Sequence, residues 1–312
     1  MKNVIVITGP TATGKTELAI KLAKKINGEI ISADSRQVYK YFNIGTNKPT
    51  RKQLSEVPHH LINIVEPTEQ FTAGDFVRLA NKKIKQIFKS RKQPIIVGGT
   101  GFYIKALIDG LIKVPKTDKK LRLELRKTYK RKGLNYLCKQ LEKLDPETAE
   151  IIDKKNPVRV LRALEIYFLT GKKVSELKKE ICSSRRLNAD YNFLIFGLKT
   201  PRQNLHKCVN SRVEQMIYNG LIDETKKLVK KYSSKNPILQ LTIGYQEIIG
   251  YLDGRYSKAE AIQLIKQHTR QYAKRQMTWF KKEKKVWGIV WIDIKNNPTK
   301  KILNYFKKSD II

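Results

Sequence analysis

Gly9-Pro10-Thr11-Ala12-Thr13-Gly14-Lys15-Thr16 fits the spacing G-x-x-x-x-G-K-[ST]. Glycines at both ends let the backbone turn tightly, so that amide N–H groups and the start of a following helix converge on one anion. Lys15 adds a point charge and Thr16 a hydroxyl suited to Mg²⁺. The chemistry is phosphate binding, and what carries the phosphate is open at this level. An NTPase wants a further carboxylate after an apolar strand to hold its metal. Here the apolar run Pro94–Val97 leads instead into Gly98-Gly99-Thr100-Gly101. The carboxylate that does follow a strand-like run is Asp34, in Asp34-Ser35-Arg36-Gln37. It can serve as a metal ligand or as a base toward a different substrate.

Periodicity predicts the elements that hold these groups. Asn3 to Thr8 is a β-branched run leading into the glycine-rich turn, and Leu18, Ala19, Leu22, Ala23 and Ile26 fall at helical spacing. Glu29 to Ala33 reads as a second strand with Asp34 at its carboxyl end, and a helix over about 73–89 precedes the strand Pro94–Val97. Strands alternating with helices predict a parallel sheet covered on both faces. After Val114 charges crowd together, with apolar residues at Leu121, Leu125, Tyr129, Leu134, Leu137 and Leu141, and Pro157 to Leu169 also reads as helix. Phe193 to Leu198 returns to strand, and Val286 to Ile294 reads as a last one. The expected class is α/β: a P-loop NTPase-like parallel sheet flanked by helices, built from 1–114 and 191–312, with a helical insertion domain at 115–190.

The 312 residues carry 64 Lys and Arg against 28 Asp and Glu, a net charge of +36. Such a field favours a polyanion such as RNA, DNA or an anionic membrane, although a solvated lysine coat gives the same total. Cys138, Cys182 and Cys208 are widely spaced with no CxxC pair, so neither a disulfide framework nor a cysteine-built zinc site is expected. His59 and His60 lack further ligand spacing, which argues against zinc there too. No eighteen apolar residues run together, and the start of the chain lacks a signal-peptide pattern. A cytoplasmic protein is expected.

With the phosphate loop, DSRQVY at 34–39 and GGTG at 98–101 in hand, the chain resembles the tRNA dimethylallyltransferases, also called tRNA isopentenyltransferases. The likeness is collinear and nearly full length. It takes in NIGTNKP at 43–49, HHLINIVEP at 59–67, FTAGDF at 71–76 and PIIVGGTGFYIKAL at 94–107. It continues through NPVRVLRALEIY at 156–167, RVEQMIYNGL at 212–221, IGYQEI at 243–248 and TRQYAKRQMTWF at 269–280. Thr242 and Gln246 depart from the Ala and Lys common in that family. With no Cys/His extension at Ile312, the bacterial form is expected.

The resemblance implies transfer of a dimethylallyl group from dimethylallyl diphosphate to N6 of the adenosine 3′ of a tRNA anticodon, releasing diphosphate with Mg²⁺ as cofactor. The loop 9–16 then holds a leaving group rather than ATP. Lys15, Thr16 (as the Mg²⁺ ligand) and Arg212 would stabilise the diphosphate, and Asp34 would take the amine proton. Ser35, Arg36, Gln37 and Thr100, with Asp34, would meet a flipped nucleotide. Family position assigns Arg122, Val158, Arg159, Val160, Leu161 and Arg162 to the anticodon arm. Arg159 and Arg162 share a helix face, which a solvated face would also explain. The basic and aromatic stretch 266–285 suits single-stranded RNA, but Ile265, Tyr272, Met277 and Phe280 equally read as a buried stripe. Partners would be the tRNA anticodon stem-loop and the diphosphate donor, with no membrane and a monomeric chain. A nucleic-acid kinase using ATP, a prenyltransferase acting on free adenine nucleotides and a non-catalytic RNA binder are the alternatives.

Overall fold

The run Lys2–Thr8 (β1) is buried from Asn3 onward, on both faces, as expected of a strand inside a parallel sheet. The structure, a computed structural model, describes residues 1–112, 114–115, 118–183 and 191–309. From β1 the chain passes through the glycine-rich turn into Lys15–Lys25 (α1), then Gly28–Ser32 (β2), Arg51–Glu56 (α2) and the two-residue His59–His60 (β3). Ala73–Lys89 (α3), Gln93–Val97 (β4) and Gly101–Asp109 (α4) complete the first half. Thr72 opens α3 with a capping box: its hydroxyl accepts from Asp75 N–H while the Asp75 carboxylate takes the Thr72 N–H.

Residues Asp109–Ala189 form a separate compact unit. It contains Lys119–Leu144 (α5), Pro146–Ile151 (α6), Pro157–Thr170 (α7) and Val174–Ser183 (α8). Gly133, at φ 77° and ψ 174°, breaks α5 into two helical stretches. The predicted apolar positions Leu125, Leu137 and Leu141 are buried with Val160, Ala163 and Leu164 of α7. Asp145 is buried and accepts from Thr148 N–H, Ser175 N–H and the Ser175 hydroxyl, at 3.1, 3.1 and 2.7 Å. One carboxylate thus caps α6 and ties it to α8. The unit begins before residue 115 because Ile112 and Val114 pack on its core; the expected boundary at 190 lies outside the described residues.

The other unit resumes with Tyr191–Lys199 (β5), Arg202–Tyr218 (α9), Leu221–Tyr232 (α10), Pro237–Gln240 (α11), Tyr245–Leu252 (α12) and Lys258–Trp287 (α13). Val290–Asp293 (β6) and Pro298–Ser309 (α14) follow. Strand order is β3-β2-β4-β1-β5-β6, with each neighbouring pair parallel. The fold is therefore the α/β parallel sheet expected, with two corrections at its edges. The last strand starts at Val290, not Val286, because α13 runs on to Trp287 and stops at Gly288, whose φ of 62° is a helix-ending conformation. The edge strand β3 is too short to show a period. Within it His59 bonds to the Val57 carbonyl and His60 to Glu29, each at 2.7 Å. No described helix is long and apolar enough to cross a membrane.

Candidate active site

The carboxyl ends of β1, β2 and β4 meet where the phosphate loop turns. Gly9 adopts φ 132° and Gly14 φ 74°, and a Cβ on Gly9 would press on the Leu198 carbonyl of β5. Gly14 precedes α1 without a side-chain cap, so the first N–H groups of the helix face the loop unclaimed by a capping residue. Lys15 folds back to donate to the Pro10 carbonyl at 2.6 Å. Burial of its ammonium end, then the neighbouring Arg212 charge, bring its pKa down to about 7; Asp34 partly opposes the shift. The site is thus short of negative charge. Arg212, on α9, donates to the Thr11 hydroxyl at 2.9 Å and so sits over the loop.

Asp34 follows β2 directly. Its Oδ1 accepts from Arg36 N–H at 2.8 Å and Gln37 N–H at 3.2 Å, closing the turn 34–37 on its own carboxylate. Thr100 Oγ1 accepts from Ser35 N–H at 3.0 Å, fastening the turn to the loop after β4. Arg36 donates to the Leu241 carbonyl at 3.2 Å. Gln37 accepts from the Ser32 hydroxyl and donates to the carbonyls of Thr46 and Asn47, all at 3.2 Å. Of these residues, Gln37 and Thr100 act within the protein framework, which the motif alone did not reveal.

Thr11, Lys15, Thr16, Asp34, Arg212 and Gln276 line one cavity of about 130 Å³. A neighbouring cavity of about 410 Å³ shares Thr11, Asp34, Thr46, Asn47, Arg212 and Tyr272 with the first. Val213, Met216, Leu241, Ile243 and Ile265 give its wall an apolar character, and Thr242 and Gln246 also border it. Gln276 escaped the sequence reading. It is buried, accepts from Thr11 N–H at 2.8 Å and donates to the Gly99 carbonyl at 2.9 Å, joining the two glycine-rich turns through α13. A signal existed: a polar residue stands on the buried stripe of Ile265, Ala273 and Phe280. Tyr272 of the same stripe is half-buried and faces both cavities.

In the helical unit, Glu165 is almost fully buried and pairs with Arg162 at 3.0 Å and Arg122 at 3.8 Å. These three side by side border an apolar hollow with Val158, Leu161 and Tyr129. Val158 is 71% exposed, and Arg159 is also exposed. Val160 is at 0% exposure, and its side chain belongs to the core of the helical unit.

Among the described residues no three His, Cys, Asp or Glu side chains gather to hold a metal. Thr16 and Asp34 are oxygen donors on the same cavity as the loop. That sparse set fits Mg²⁺, which keeps its waters and leans on substrate phosphates.

The IPP transferase family model matches residues 37–283. The tRNA dimethylallyltransferase of Halothermothrix orenii is 42% identical over 306 residues, covering 97% of this chain and 91% of that protein. Among solved structures, the full-length tRNA isopentenylpyrophosphate transferase of Bacillus halodurans is 38% identical with a TM-score of 0.71, covering 99% of this chain and 96% of that one. A eukaryotic dimethylallyltransferase acting on tRNA is 30% identical with a TM-score of 0.85, covering 99% of this chain and 80% of that one. A match of this length and identity, over the loop, turn and stripe just described, leaves one conclusion: the chain belongs to the IPP transferase family, the tRNA dimethylallyltransferases.

Proposed function

We propose that this enzyme moves a dimethylallyl group from dimethylallyl diphosphate to N6 of the adenosine 3′ of a tRNA anticodon. The observation that carries the site assignment is the shared wall. The phosphate loop, Arg212 and Asp34 line one cavity, and Thr11, Asp34 and Arg212 also border the larger, more apolar one beside it. A diphosphate on the loop and a five-carbon tail in apolar surroundings need such neighbours, and an ATP site does not explain the second cavity. The allylic C–O bond breaks and its electron pair leaves on diphosphate; a bond forms from N6 to that carbon. The N6 proton passes to the Asp34 carboxylate. Loop amides, Lys15 and Arg212 stabilise the negative charge that collects on the leaving group. Thr16 would hold Mg²⁺ beside the loop, where the ion would supply further charge neutralisation for the leaving group.

The acceptor amine is conjugated with the purine ring and is a weak nucleophile, so a base at the moment of bond formation matters more than prior deprotonation. Ser35 and Arg36 border the larger cavity beside Asp34 and would meet the flipped base, with Gln37 and Thr100 holding the turn in register. In the helical unit, Arg122, Arg159 and Arg162 with Val158 and Leu161 would take the anticodon arm. The test is label transfer. Incubated with tRNA and either allyl-labelled dimethylallyl diphosphate or γ-labelled ATP, the enzyme puts label into tRNA from the allyl donor alone. Label arriving only from ATP would show a kinase and end this reading; label passing to AMP but not to tRNA would end the assignment of the acceptor.

A further inference from the structure

Glu224, in the first turn of α10, lies outside the residues lining the two cavities. Its carboxylate nevertheless makes the densest set of hydrogen bonds near them. Ile44 N–H reaches both oxygens at 2.9 and 3.0 Å, Gly45 N–H reaches Oε1 at 3.1 Å, and Asn43 N–H reaches Oε2 at 3.2 Å. The Tyr245 hydroxyl adds a donor at 2.7 Å from the start of α12. Three successive amides converging on one anion form a nest, a concavity that fixes its own backbone only while the anion is present. The anion here is supplied by the protein.

The clasped segment leads straight to the site. Asn47 N–H closes on the Ile44 carbonyl at 2.9 Å and Lys48 N–H on the Asn43 carbonyl at 3.0 Å, so the nest sets the next turn. Thr46 and Asn47 in that turn wall both cavities, and their carbonyls receive the Gln37 side-chain amide. Gln37 N–H in turn bonds to Asp34 Oδ1. Gly45 is obligatory for the arrangement: a Cβ there would collide with the Tyr245 ring. We infer that Glu224 is a positioning residue for prenyl transfer, its carboxylate clasping the amides of 43–45 so that Thr46, Asn47 and Gln37 hold the Asp34 turn at the acceptor side of the site.

This inference rests on the prenyl-transfer reading, whose own failure would show as a wild-type enzyme that transfers no label to tRNA. Glu224→Gln keeps the shape but turns one accepting oxygen into a donor that faces an N–H. It is expected to lower kcat/KM for tRNA prenylation at least tenfold, while binding of inorganic pyrophosphate stays within about threefold of wild type, because Gln276 and Arg212, not the clasp, hold the phosphate loop. Tyr245→Phe keeps the carboxylate and the three amides and should lose less than Glu224→Gln. A folded Glu224→Gln enzyme with wild-type kcat/KM overturns the inference, and so does a parallel loss of pyrophosphate binding, which would mark a general loosening. If Glu224→Gln fails to fold, Gly45→Ala carries the same test from the other side of the clasp. It must show the same split between turnover and pyrophosphate binding, and wild-type kinetics there overturn the idea.

Discussion

Asp34 and Lys15 are the two side chains whose charge the proposed reaction uses most directly. Asp34 uses Oδ1 to close its own turn, so Asp34→Asn can keep both hydrogen bonds through the amide oxygen and lose only the basicity. A positioned general base contributes roughly 10²–10⁴-fold. The asparagine variant should therefore fall in kcat by that order with little change in melting temperature; an unchanged rate of label transfer would remove Asp34 from its role. Lys15 gives a second prediction with a definite sign. Its pKa is about 7 in the free protein, against an ordinary 10.5. Above about pH 7 the free site has released the proton, whereas a bound diphosphate holds the ammonium charged, so binding takes up a proton. Pyrophosphate affinity should fall by up to about tenfold per pH unit above pH 7, and calorimetry in buffers of different ionisation enthalpy should report the uptake. The same shift makes the free protein more stable as pH rises from about 7 toward 10.5, because the unfolded chain still holds that proton. Lys15→Met should bind more weakly and lose the slope.

At the scale of elements, α13 decides whether the loop is a cradle or merely a turn. Its stripe of Ile265, Ala273 and Phe280 packs inward, and Gln276 rides on the same face to reach Thr11 N–H and the Gly99 carbonyl. Gln276→Leu leaves a buried donor and acceptor without partners, a cost of about 1–3 kcal/mol. The predicted signature is a lower melting temperature together with a raised KM for the donor; no change in either would mean that water replaces the amide at no cost. Gly99→Ala attacks the same link from the turn after β4, since a Cβ there would collide with Gln276 Nε2. The sequence made the supporting strands and helices legible because their signals are local: β1 and β4 are continuous apolar runs, and α3 carries its own caps. The groups proposed for the chemistry, Gly9–Thr16 and Asp34, were legible for the same reason, since each is a local motif at the end of a strand. Gln276 and Glu224 were not, because their meaning lies in partners far along the chain: Thr11 for the first, Asn43 to Gly45 for the second. The end of α13 was misjudged because Val286 and Trp287 continue the apolar texture of β6, and only Gly288 marks the stop.

Over the whole molecule, the net charge of +36 bears on how RNA arrives and how tightly it stays. Basic residues are spread through both compact units, so the field attracts a polyanion from any side and cannot by itself select an anticodon. Selection must come from a few fixed side chains, and the helical unit contains an arrangement fit for this. Glu165 is a buried carboxylate paired with Arg162 and Arg122, while Arg159 is exposed and outside that pair. The two kinds of arginine should behave differently. Each phosphate neutralised by a cation releases condensed counterions, so log K for tRNA falls linearly with log salt, with a slope of roughly −0.7 to −0.9 per contact. Arg159→Ala should weaken tRNA binding and make that slope shallower by about one contact. Glu165→Gln removes no positive charge. If orientation is what the buried carboxylate contributes, it should weaken tRNA binding at every salt concentration while leaving the slope nearly as it was. A slope that steepens, with tighter binding at low salt, would mean that Glu165 merely offsets charge, and that the solvated lysine coat rather than a shaped arginine pair carries the contact. Fluorescence titration of an anticodon stem-loop across a salt series separates the two.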